Sequence, residues 1–281
     1  MPKGEFTGLL PSGTTIVYTM IGHPVVQVKS PLNFNRYFAR HSIDGVMVAV
    51  DVHPEQVKAY FDLVRRIPNF GGCCVTVPHK SIAFECMDDV SARARDLKAV
   101  NVVRVEKRRL IGDMVDGAGF GLALQAHGLN IAGKRAAIIG VGGAGAAIAH
   151  RLAECGAAEI WIKERDIQRH GFIVRLLKQV NPDTKVSFEL TSLKKLDLVV
   201  NASPVGMNGD LDLPFPVETL ASNCLVADVV TQPALTPWLA AARAKGCEIQ
   251  YGAEMAYAQI GLLGRHMGLD IPDPHDILSL D

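Results

Sequence analysis

An excess of charge of either sign is missing from this chain. Its 281 residues carry 29 Lys and Arg against 29 Asp and Glu, a formal net charge of +0. There is no basic footprint for nucleic acid, and no polyacidic or polybasic tail. No run of about 18 apolar residues is free of charge, so no membrane span is expected. The opening MPKGEFTGLLPSGTT lacks the apolar stretch and small-residue cleavage site of a signal peptide. The six cysteines (Cys73, Cys74, Cys86, Cys155, Cys224 and Cys247) show no C-x-x-C spacing. They read as small hydrophobes in a reducing compartment rather than as disulfides or metal ligands. A cytoplasmic location follows, with no metal expected. Repeats of 20–50 residues and low-complexity segments are absent as well.

Apolar residues, by contrast, make up 48% of the chain, enough for a sizeable core. The length suits two domains. TTIVYTMIG, VMVAVDV and CCVTV read as buried strands. They alternate with PLNFNRYFARHSI, which opens on Pro31 just inside a helix start, and PEQVKAYFDLVRRI, with Val57, Phe61 and Val64 at helical spacing. A further helix is expected from about Lys80 to Val90. This alternation argues for βαβ units and a parallel sheet. AVNVVRVEKRRLIGDMV reads as strand, charged turn and strand, and GAGFGLALQAHG as a small-residue helix. From Lys134 the alternation restarts. RAAIIG, EIWIKE, LDLVVNAS, CLVADVV and EIQYG read as strands. DIQRHGFIVRLLKQV should bury Ile167, Val174, Leu177 and Val180 on one helical face, and TPWLAAARAKG is a helix closed by Gly246. A last helix runs from about Ala253 to Met267. The fold class is α/β in two domains, 1–117 and 118–251, with 252–281 free to return to the first.

The segment RAAIIGVGGAGAAIAHRL places Gly140, Gly142, Gly143 and Gly145 between a strand and a helix. Glycine permits the tight bend and lets backbone N–H groups approach a pyrophosphate, which the helix N-terminus stabilises. Glu164 follows about 19 residues after Gly145, near the spacing of a ribose-binding acid. Its carboxylate would accept both ribose hydroxyls and repel a 2′-phosphate. Arg165 and Arg169 pull the other way, since guanidinium groups bind phosphate, and Asp166 partly neutralises them. The cofactor is NAD or NADP, with NAD favoured.

Seven segments, in one order over nearly the whole chain, resemble the shikimate and quinate dehydrogenase family. IGHPVVQVKSP is similar to its G-x-P-x-x-x-S-x-S-P, CCVTVPHK to N-V-T-x-P-x-K, AVN to A-x-N and GDMVDGAG to G-x-N-T-D-x-x-G. NASPVGM is similar to N-A-T-x-x-G-M, DVVTQPALTP to D-x-x-Y-x-P-x-x-T-P and GAEMAYAQ to G-x-x-M-L-x-x-Q. The resemblance implies an N-terminal substrate domain, a Rossmann domain and a C-terminal helix packed back on the first. It implies reversible oxidation of a secondary alcohol on a cyclic hydroxy acid, with Lys80 and Asp116 as the acid/base pair. Ser30, Thr76, Asn101 and Gln259 would bind the substrate. Cofactor contacts would extend to Ala144, Ala202, Ser203, Val205, Met207, Val229 and Gly252.

The chain departs from the family pattern where the substrate binds. Val28 replaces the first serine of S-x-S, Cys74 the asparagine of N-V-T, Met114 and Val115 the N-T of N-T-D, and Thr231 the tyrosine. Shikimate presents a carboxylate and three hydroxyls, and each lost bond to a charged group costs about 1.5–3 kcal/mol. A shifted substrate is therefore expected, with Cys74 filling a strand position and His79 facing solvent. A sensor that binds NAD(H) without turnover is an alternative; the presence of both Lys80 and Asp116 speaks against it. A two-domain enzyme acting on an imine or folate adduct is a third, against which the 6% aromatic content is a weak argument. The expected partner is a small molecule, and monomer against homodimer stays open.

Overall fold

The computed structural model describes residues 10–190 and 192–271. These fall into two compact units: the chain up to Val115 with the residues from Ile260 onward, and Asp116–Gln259.

In the first unit, β1 (Ile16–Gly22), β2 (Gly45–Asp51), β3 (Phe70–Val75), β4 (Asp89–Val90), β5 (Val102–Glu106) and β6 (Arg109–Asp113) form one sheet in the order β2-β1-β3-β5-β6-β4. Helix α2 (Val57–Val64) buries the residues its spacing promised, Val57, Phe61 and Val64, and helix α1 (Ser30–Arg40) buries Phe34, Tyr37 and Phe38. β1 runs parallel to β2 and β3. The sheet is mixed rather than parallel throughout, because β5 is antiparallel to both β3 and β6. Its hairpin turns on Lys107 and Arg108, both at positive φ, 51° and 66°, as a two-residue turn between twisted strands requires.

The helix expected over 80–90 is shorter. α3 (Lys80–Glu85) stops where Asp88 takes over: its carboxylate accepts the Leu110 N–H at 2.7 Å, and its own N–H donates to the Leu110 carbonyl at 2.9 Å. These bonds draw Asp89–Val90 onto β6 as a strand. Ser91 then caps α4 (Ala92–Leu97), accepting the Ala94 N–H at 3.2 Å.

The second unit holds β7 (Arg135–Ile139), β8 (Glu159–Lys163), β9 (Lys185–Ser187), β10 (Leu198–Asn201), β11 (Leu225–Asp228) and β12 (Glu248–Gln250), in the order β12-β11-β10-β7-β8-β9 and parallel at every pairing. Its helices are α5 (Asp116–Ala126), α6 (Gly143–Glu154), α7 (Gln168–Val180), α8 (Pro237–Ala244) and the first part of α9 (Gly252–His266). The order reverses between β7 and β10, where a doubly wound sheet opens its ligand crevice. Trp238 and Leu239 of α8 are fully buried against Val199 and Val226; each large apolar side chain so buried contributes about 1.5–3 kcal/mol. α5 and α6 approach closely, since a Cβ on Gly117 would fall on the carbonyl oxygen of Ala147. The buried residues of α7 are Ile173, Leu176 and Leu177; of the expected face Leu177 is buried, and Val174 and Val180 are half-buried. Ile167 precedes the helix and is 76% exposed. β9 was not foreseen; three residues are too few to show a period.

The end of α9 belongs to the first unit. There His266 Nε2 lies 2.9 Å from the Ile111 carbonyl, and the Tyr37 hydroxyl donates to the Asp270 carbonyl at 2.9 Å. Among the described residues no helix is long and apolar enough to cross a membrane.

Candidate active site

The turn between β7 and α6 depends on its glycines. Gly140 sits at φ +89°, where a side chain would be strained. A Cβ on Gly145 would land on the Gly140 carbonyl oxygen, so helix and strand meet only through glycine. Around Gly142 a Cβ would meet nothing nearer than the Arg169 guanidinium at 3.8 Å, leaving its backbone open to a ligand. A dinucleotide pyrophosphate fits this cradle at the start of α6. Glu164, just after β8, accepts the Val141 N–H at 2.9 Å and the Asp166 N–H at 3.0 Å. Partial burial raises its pKa, but these backbone bonds and the Arg169 charge outweigh it and hold the carboxyl below its usual range. Arg169 itself donates to the Val141 carbonyl at 3.4 Å and pairs with Asp166 at 3.4 Å. Arg165 is exposed.

Ala202, Ser203, Val205 and Met207 lie on the loop leaving β10, beside that turn. Asn201 organises the loop. Its amide donates to the Val205 carbonyl at 3.0 Å and to Asp228 at 3.1 Å, while its oxygen accepts the Ser203 hydroxyl at 2.6 Å. Asp228 is fully buried. Burial pushes its carboxyl up to about 6, against hydrogen bonds from the Val230 N–H, the Thr236 hydroxyl and the Asn201 amide. Neither residue was singled out from the sequence. The available signal was a polar residue closing an all-apolar strand at the crevice edge. Val229 donates its N–H to the Asn201 carbonyl at 3.0 Å. Gly252 opens α9 so close to β11 that a Cβ would fall on the Val230 carbonyl oxygen. Thr231 is half-buried.

In the same unit, Asp116 is the buried first residue of α5. Gln259 lies one turn along from it, its Cγ filling the space a Cβ on Gly119 would need.

In the first unit, three candidates come together at the C-terminal end of β3. Val75 donates its N–H to the Asn101 carbonyl at 2.8 Å, His79 donates to the Thr76 carbonyl at 2.9 Å, and Val100 donates to the Lys80 carbonyl at 3.0 Å. Lys80, half-buried, thus begins α3 within a clamped turn that also holds Thr76 and Asn101. Asn101 is buried and its side-chain oxygen accepts the Val115 N–H at 2.9 Å. Ser30 begins α1, with Val28 half-buried in the preceding loop. Cys74, Met114 and Val115 are buried. The Cys74 thiol is pushed far above its ordinary value by burial and by its neighbour Cys73, which disfavours the thiolate. Cys73, Cys224 and Cys247 are buried too, whereas Cys86 and Cys155 are only half-buried; all six are free thiols.

The expectation for His79 is overturned. Its side chain is 0% exposed, not solvent-facing, because its ring turns inward to bond the backbone after β2. Among the described residues no group of three or more His, Cys, Asp or Glu could hold a metal.

The profile of the shikimate dehydrogenase substrate binding domain matches residues 20–103, the stretch from β1 into β5. The chain is 32% identical over 248 residues to shikimate dehydrogenase (NADP(+)) of Maridesulfovibrio salexigens, covering 85% of this chain and 86% of the relative. The chain belongs to the shikimate dehydrogenase family. Solved structures agree. The shikimate 5-dehydrogenase of Thermus thermophilus, in complex with NADP(H) and shikimate, superposes with a TM-score of 0.84 at 31% identity, over 94% of this chain and 97% of that one. The quinate dehydrogenase of Corynebacterium glutamicum, in complex with NAD, gives 0.84 at 26% identity over 94% and 97%. In the shikimate dehydrogenase family, then, relatives occur with either nicotinamide dinucleotide, and the dehydrogenase fold of this chain is that of the family.

Proposed function

We propose that this protein interconverts a secondary alcohol and a ketone on a cyclic hydroxy acid of the shikimate or quinate kind, with Lys80 and Asp116 as its acid/base pair. A nicotinamide dinucleotide, when bound at the glycine turn, supplies the hydride chemistry. Lys80 exchanges a proton with the reacting oxygen. Asp116 holds a neighbouring hydroxyl, as do Thr76, Asn101 and Ser30. Gln259 completes the hydroxyl contacts.

The observation that carries this reading is the clamped turn at the end of β3. Backbone bonds fix Lys80, Thr76 and Asn101 together, in a chain whose relatives are dehydrogenases. Named relatives that are all enzymes give no support to a sensor without turnover.

Glu164 favours NAD, since its ionised carboxylate suits ribose hydroxyls and opposes a 2′-phosphate. Val28 and Thr231 favour a substrate less polar than shikimate, or with its polar groups placed differently. Steady-state assays with shikimate and quinate, each with NAD and NADP, test both points. Lys80→Met should lower kcat by about 10²–10⁴-fold, the usual contribution of acid–base catalysis, with dinucleotide affinity unchanged. Turnover within tenfold of wild type in that variant would overturn the reading.

A further inference from the structure

We propose that His79 is a positioning residue for Lys80, an inference that rests on the catalytic role given to Lys80 above.

The ring of His79 is fully buried, although its neighbours Val77 and Pro78 are exposed. It does not cap α3, whose first residue is Lys80. Its Nε2 instead lies 2.7 Å from the Val52 carbonyl. A carbonyl only accepts, so Nε2 carries the proton and Nδ1 is left as an acceptor. Nδ1 is buried and has no hydrogen-bond partner among the described residues. An unsatisfied buried polar atom of this kind is a standing cost, and an apolar side chain would avoid it. What the imidazole contributes in return is the single donor to Val52.

That bond matters because of what Val52 holds. Val52 donates its N–H to the Gly22 carbonyl at 3.1 Å, and Thr76 donates to the Ile21 carbonyl at 2.9 Å. The turn 76–80 is therefore tied to the end of β1 directly through Thr76 and through the Val77 carbonyl, which accepts the His23 N–H at 3.1 Å, and indirectly through His79 and Val52. The backbone ties survive any substitution. The Val52 tie exists only through the side chain of residue 79, immediately before Lys80. With Val77 and Pro78 of the turn exposed, the His79 side chain adds an inward anchor, next to the lysine, to the backbone bonds that clamp the turn. A displacement of about 1 Å at a catalytic group can cost about 10²-fold in rate.

The test compares His79→Leu, which fills the space without a donor, with His79→Gln, whose amide reaches as far as Nε2. His79→Asn, polar but too short to reach Val52, is the third variant. Each is assayed with whichever of shikimate or quinate the wild type turns over. His79→Leu and His79→Asn should lower kcat about 10–100-fold, shift the pH profile of kcat and leave the dinucleotide Kd unchanged. His79→Gln should restore both the rate and the profile. A purely structural role would lower the melting temperature but leave the profile of the folded enzyme superposable on wild type; that result, or a glutamine no better than leucine, overturns the inference. Should the leucine variant not fold, the asparagine variant carries the same comparison. Lys80→Met separates the two claims. If it kills turnover while His79→Leu does not, only the positioning role fails; if it too retains turnover, the reading of Lys80 fails first.

Discussion

The carboxylate of Glu164 accepts the backbone N–H of Val141 at 2.9 Å. The acid that ends β8 is thereby fastened to the glycine turn that ends β7, and its second oxygen is fixed by Asp166 at 3.0 Å. One side chain shapes the turn and sets the charge beside it.

Removing that charge should change cofactor selection. Glu164→Ala should reduce kcat/KM for NAD more than tenfold, the equivalent of one hydrogen bond to a charged group at about 1.5–3 kcal/mol. NADP should lose less or gain. Parallel assays with the two dinucleotides check this, and an unchanged NAD-to-NADP ratio would take Glu164 out of the selection.

Gly145→Ala should damage both stability and dinucleotide binding. Its Cβ meets backbone, the Gly140 carbonyl oxygen, which cannot swing aside. Overpacking of this kind costs about 1–3 kcal/mol. Gly13→Ala is the control, because no atom of the described residues lies within 4 Å of the added carbon. Thermal unfolding of the two variants should differ by several degrees, at about 2–4 °C per kcal/mol for chains somewhat shorter than this one.

His127 introduces a pH dependence within the second unit. Its Nδ1 lies 2.7 Å from Glu248 and its Nε2 3.2 Å from Glu254. Partial burial pulls its pKa down, but the two carboxylates outweigh this and the net shift is upward. A raised folded pKa means the stabilisation is complete below the unfolded value, about 6.5, and is lost as pH rises through the folded value. Denaturant midpoints should therefore fall as pH is raised through and above 6.5. His127→Gln should flatten that slope; an unaltered slope would assign it to another group.

Val28→Ser with Thr231→Tyr should raise kcat/KM for shikimate more than tenfold, if two hydrogen bonds to a charged group, each about 1.5–3 kcal/mol, are regained. Wild-type efficiency on shikimate already at about 10⁵ M⁻¹s⁻¹, within the usual enzyme range, would mean these two positions do not limit the substrate.

Much of the architecture follows from local chemistry. An opening proline placed α1, helical spacing placed α2, and apolar runs placed all but the shortest strands. The glycine turn and Glu164 were legible because a tight bend beside a phosphate admits few residue types. Lys80, Thr76 and Asn101 stood out through motif order rather than through any property of their own. What sequence could not carry was set by contacts between distant segments. Asp88 bonds Leu110 and so ends α3 early, and β5 pairs antiparallel with β3 across nearly thirty intervening residues. The face of α7 is chosen by what packs over Ile173 and Leu176. His79 shows the division most plainly. Beside a proline at a helix start it looks like a surface residue, yet it is buried, with its Nε2 2.7 Å from a carbonyl 27 positions earlier. A residue's neighbours in the chain fix its propensity; its burial and its partner exist only once the sheet has brought the two segments together.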